Sequence, residues 1–79
     1  MVLDRIKTII GSQMGFDCPQ DIENVYFVND LGMDSLDLVE LTILVEREFI
    51  IHISDSSASD LRSVGDLIKF VENTTLRQL

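Results

Sequence analysis

The spacing of apolar residues predicts helices along most of the chain. At about 100° per residue, Leu3, Ile6, Ile9, Ile10 and Met14 fall on one side of a helix over about 2–15, with Asp4, Arg5, Thr8 and Ser12 opposite. A connection over 16–34 follows, polar and containing Pro19, with apolar anchors at Ile22, Val25, Phe27, Val28 and Leu31. A connection of that length in a small domain is uncommon unless functional or pinned by such residues. Gly32 permits a positive φ before the next helix. That helix is predicted over about 35–49, capped by Asp34 or Ser35, with Asp37 in its first turn where a carboxylate suits the helix dipole. A short helix over about 55–61 and a last one over about 64–73 complete the pattern. Ser63 with Asp66 resembles a capping box, and Val64, Leu67, Ile68 and Val71 form the apolar stripe. Residues from Asn73 onward are expected to fray. Strand signals are weak, so the expected fold is all-α: one domain over 1–79, a small bundle of three main helices plus one short helix, with a long first connection.

The second helix is apolar on more than one side. Leu38, Leu41, Thr42, Val45 and Phe49 lie within an arc of about 100°, the natural core stripe. Leu36 and Ile43 fall nearly opposite, in line with Glu40 and Arg47, and Leu44 lies beside Asp37 and Glu48. Apolar anchors with a charged rim describe a partner-docking face. The competing reading is that the connection or the third helix covers Leu36 or Ile43.

Length and charge narrow the function. A chain of 79 residues buries only about 60% of its unfolded surface, which disfavours a deep catalytic cleft and favours a carrier, binding module or subunit. The net charge is −8, and Asp17 to Asp60 holds eleven acids against Arg47 alone, or −10. Such a field repels nucleic acid and anionic lipid, and steers encounter with basic protein surfaces. Cys18 has no second cysteine to pair with, and with His52 it falls short of a zinc site. No apolar run approaches the ~20 residues that span a membrane. A reducing compartment is expected, the bacterial cytoplasm first, with an organellar stroma or matrix as the alternative.

The run Asp30-Leu31-Gly32-Met33-Asp34-Ser35-Leu36-Asp37-Leu38-Val39-Glu40-Leu41 resembles the phosphopantetheine attachment site of acyl carrier proteins, D-L-G-x-D-S-L-D-x-V-E-L, at every fixed position. Ile9-Ile10-Gly11, Phe27-Val28, Glu48-Phe49 and Ile53 extend the resemblance over essentially the whole chain. It implies a non-catalytic, monomeric carrier with 4'-phosphopantetheine on Ser35. A phosphopantetheinyl transferase would install the arm, with Asp34 helping to hold that complex's magnesium, and no permanent metal is expected. The chemistry agrees with the position. A helix start offers free N–H groups and a positive dipole end to a phosphodiester, and the reactive atom is then the arm's thiol. The implied partners are acyl-transferring, condensing and reducing enzymes with basic surfaces. They would meet Leu36, Asp37, Glu40, Ile43, Glu46 and Arg47, while Leu38, Val45, Leu61 and Leu67 would line an acyl pocket.

The sequence departs from the commonest fatty-acid carriers in four places. Arg47 interrupts the acids, Ser56-Ser57-Ala58-Ser59 stands where Glu is frequent, Ser54 stands where proline is, and Ile50-Ile51 is unusually apolar. These differences leave open a specialised carrier for secondary metabolism or lipid modification, though Asp37 and Val39-Glu40-Leu41 favour fatty-acid or related lipid and polyketide synthesis. Two other classes compete. One is an unmodified acidic interaction module in which Ser35 only caps the helix. The other is a hydrolase, disfavoured because Gly32-Met33-Asp34-Ser35-Leu36 lacks the second glycine of a nucleophile elbow and His52 has no evident orienting partner.

Overall fold

A computed structural model of the chain describes residues 2–15 and 22–77, with side chains through Thr75. Among these residues are four α-helices: α1 (Val2–Met14), α2 (Ser35–Phe49), α3 (Asp55–Asp60) and α4 (Val64–Arg77), with a 3-10 turn at Ile22–Asn24. Cys18 and Pro19 lie outside the described residues.

The core forms where the predicted stripes meet. Ile6 and Ile10 of α1, Leu41 and Val45 of α2, and Val64, Leu67, Ile68 and Val71 of α4 are all buried. Removing these side chains from water is the main favourable term for a domain this small. A polar clamp adds to the α1–α2 seam, where Arg5 Nη2 meets Glu48 Oε2 at 2.7 Å and the guanidinium lies 5.3 Å from the Phe49 ring centroid.

The long connection is pinned, as expected, by Ile22 and Phe27, which are buried. Val28 is not an anchor. It is 56% exposed, because the chain turns sharply once Phe27 has pointed inward: the Gly32 N–H donates to the Val28 carbonyl at 3.0 Å and the Met33 N–H to the Phe27 carbonyl at 3.0 Å. Gly32 makes that turn at φ 68°, a left-handed conformation in which a side chain would be strained. Met33, in the variable position of the motif, is buried in its place.

One isolated antiparallel bridge pairs Tyr26 with Ser63. The Phe27 N–H donates to the Arg62 carbonyl at 3.0 Å, and the Val64 N–H to the Val25 carbonyl at 3.0 Å. The connection is thereby tied to the entrance of α4. At Gly65 the two backbones approach so closely that a Cβ would lie 2.8 Å from the Glu23 carbonyl oxygen.

Helix ends differ from expectation in three places. The first helix stops at Met14, one residue early, where Gly15 turns to φ 74°. The short helix stops at Asp60, also one residue early, because Leu61 leaves helical geometry at ψ 88°. The last helix continues to Arg77 instead of fraying from Asn73. There the Thr75 hydroxyl donates back to the Val71 carbonyl at 2.9 Å and the Glu72 carbonyl at 3.1 Å, which satisfies a side chain that otherwise competes with the helical backbone. The capping box is present: Asp66 N–H donates to Ser63 Oγ and Ser63 N–H to Asp66 Oδ2, both at 3.2 Å.

Candidate functional site

The turn through Gly32 delivers the chain to the start of α2, where two aspartates flank Ser35. Asp34 is the N-cap, with extended backbone (φ −95°, ψ −176°). The Asp37 N–H donates to Asp34 Oδ1 at 2.9 Å, and the Asp34 N–H donates to Asp37 Oδ2 at 3.1 Å. This reciprocal box satisfies two backbone donors that the helix start would otherwise leave open. The sequence left the cap to either Asp34 or Ser35, and the structure gives it to Asp34. Ser35 is exposed, and its hydroxyl makes no hydrogen bond among the described residues.

A hydroxyl so placed fits a phosphodiester. It opens the first turn of α2, whose early N–H groups have no intrahelical acceptor and whose dipole end is positive. The neighbouring carboxylates oppose a second anion there, so a cation would ease its approach. Among the described residues no group of three or more His, Cys, Asp or Glu is arranged to hold a metal ion.

A model of the phosphopantetheine attachment site family matches residues 4–71. The chain belongs to that family. Family members carry covalently attached 4'-phosphopantetheine, and this chain is therefore a phosphopantetheine-carrier domain, a role that involves a phosphopantetheinyl transferase and biosynthetic enzymes in general.

Along this carrier's second helix, Leu36, Val39, Ile43 and Leu44 are 66%, 53%, 42% and 38% exposed. Among the described residues, neither the connection nor α3 covers Leu36 or Ile43 enough to bury it. Glu40 and Arg47 are exposed beside them. Asp37 and Glu46, expected on the same face, are engaged locally. Asp37 closes the capping box, and the Glu46 carboxylate accepts from the Ile53 N–H at 2.8 Å and lies 3.3 Å from His52 Nδ1. Glu46 thus braces the turn from α2 into α3, a part no helical periodicity reveals. His52 is a surface residue with an 86% exposed side chain.

A cavity of about 350 Å³ lies between α2 and α3, with Leu38, Leu41, Leu61 and Leu67 among its apolar walls and Val39, Ile43 and Asp55 also lining it. Three of the four residues expected there, Leu38, Leu61 and Leu67, line it. Val45 does not, being fully buried in the core. Phe27 and Ala58 also line it and were missed, since neither the connection nor a serine-rich segment signals a cavity. A second cavity of about 440 Å³ beneath Tyr26 and Val28 shares Phe27, Leu38, Ala58 and Leu61 with the first.

Proposed function

We propose that this chain is an acyl carrier protein with its 4'-phosphopantetheine arm on Ser35, delivering acyl thioesters to enzymes of fatty-acid or related lipid and polyketide synthesis. The observation that carries the assignment is the division of labour at the head of α2. Asp34 caps the helix, so the exposed Ser35 hydroxyl has no structural task. In this reading the chain is a non-catalytic substrate of a phosphopantetheinyl transferase. The Ser35 oxygen takes the phosphopantetheinyl group from coenzyme A, loses its proton, and forms the phosphodiester as the adenosine bisphosphate portion departs. Asp34 Oδ1 accepts from the Asp37 N–H at the helix start, and the Asp34 carboxylate would help to hold the magnesium ion of the transferase complex, which would offset the charge of the incoming phosphate. The arm supplies a thiol that holds acyl groups as thioesters. Leu36, Val39 and Ile43, with Glu40 and Arg47 at the rim, meet basic enzyme surfaces, and the cavity between α2 and α3 receives the acyl chain.

The test is intact-protein mass spectrometry after incubation with coenzyme A, magnesium and a broad-specificity phosphopantetheinyl transferase. Wild type should gain one phosphopantetheine and Ser35→Ala none. No gain by wild type, or an equal gain by Ser35→Ala, overturns the assignment.

A further inference from the structure

The first turn of α2 is held from outside by a side chain two positions before Gly15. Gln13, on α1, donates from Nε2 to the Asp37 carbonyl oxygen at 2.8 Å, across 24 residues of sequence. That carbonyl already sits in the helical ladder, where it faces the N–H four residues on, so it does not need Gln13. The other half of the amide is worse placed. Gln13 Oε1 is buried and has no hydrogen-bond partner among the described residues. An unpaired buried acceptor is destabilising, whereas an apolar side chain of similar length fills the same space with no polar atom to satisfy. Stability alone therefore favours methionine over glutamine at this position.

What the amide provides is position. Asp37 is gripped at three atoms: its backbone N–H and one carboxylate oxygen by Asp34, and its carbonyl by Gln13. Asp34 and Asp37 bracket Ser35, so the Gln13 contact fixes that bracket to the end of α1. We propose that Gln13 is a positioning residue for phosphopantetheine transfer, an inference that rests on Ser35 as the attachment oxygen. It touches no reacting atom. It acts through Asp37, holding the head of α2 at one angle so that the Ser35 hydroxyl meets the transferase already aligned, and small misplacements of a reacting atom are expensive in rate.

The experiment measures transfer kinetics and thermal unfolding of the full chain as wild type, Gln13→Met and Gln13→Glu, with coenzyme A and the broad-specificity transferase. Gln13→Met should keep its helical signal and a midpoint equal to or above wild type. Its kcat should fall about tenfold with KM little changed, because the docking face is untouched. Gln13→Glu, which keeps the shape but turns an acceptor toward the Asp37 carbonyl, should lose at least as much kcat. Equal kcat in wild type and Gln13→Met overturns the role of Gln13 alone. A Gln13→Met protein that has lost stability or helical signal makes the contact structural and also overturns it. A wild type that accepts no phosphopantetheine overturns the carrier reading and this inference together.

Discussion

Asp34 and Ser35 are both good helix caps by residue type, and only the backbone decides between them. The extended ψ of −176° at Asp34 puts its carboxylate, not the serine hydroxyl, over the first turn. The two neighbours should therefore respond differently to truncation. Asp34→Ala removes the acceptor for the Asp37 N–H and should destabilise the protein by about 1 kcal/mol, lowering the thermal midpoint by roughly 4–8 °C. Ser35→Ala should stay within about 0.5 kcal/mol of wild type. Thermal unfolding followed by circular dichroism separates the two, and a larger loss in Ser35→Ala would return the cap to serine. Glu46 shows where residue-level reading stops. It is expected on the docking face with Glu40, but its carboxylate is taken by the Ile53 N–H, a demand set by the following turn.

At the scale of elements, the helices were legible because each carries its own apolar period. The stripe of α4 is buried at every position expected of it. The Tyr26–Ser63 bridge was not legible, since a single pair has no period and joins residues far apart in the sequence. Nor was the backbone at Ile50, the C-cap of α2, which is left-handed at φ 54° and ψ 54°. A β-branched residue is strained there, glycine is the usual choice, and Ile50 is 83% exposed, so it recovers little by packing. Ile50→Gly should stabilise the protein by about 1 kcal/mol, raising the urea midpoint at unchanged m-value. A lowered midpoint would mean that the isoleucine makes contacts worth more than the strain.

The molecule as a whole is small, about 33 × 25 × 19 Å, yet contains a 350 Å³ cavity beside its core. Acyl methylenes that enter it leave water for apolar walls, so the protein should gain stability when that space is filled. Each buried methylene is worth about 0.8 kcal/mol, and three would contribute roughly 2. The octanoyl-loaded carrier should therefore unfold at least about 5 °C above the same protein bearing a free thiol. Equal midpoints in differential scanning calorimetry would place the acyl chain outside the fold.

Helix α3 has no buried residue, and its one apolar side chain, Ala58, lies against the core and in the wall of both cavities. Substitutions at its serines and aspartates touch no core packing and should be nearly free in stability. Over evolutionary time α3 is therefore free to drift, its surface chemistry rewritten without disturbing the packing of α1, α2 and α4. Position 58 stands out within it as the one α3 residue in the wall of both cavities. Under the proposed function, a larger or smaller residue there re-gauges the space for cargo in one step, so a lineage could change what it carries through one codon and leave Ser35 untouched.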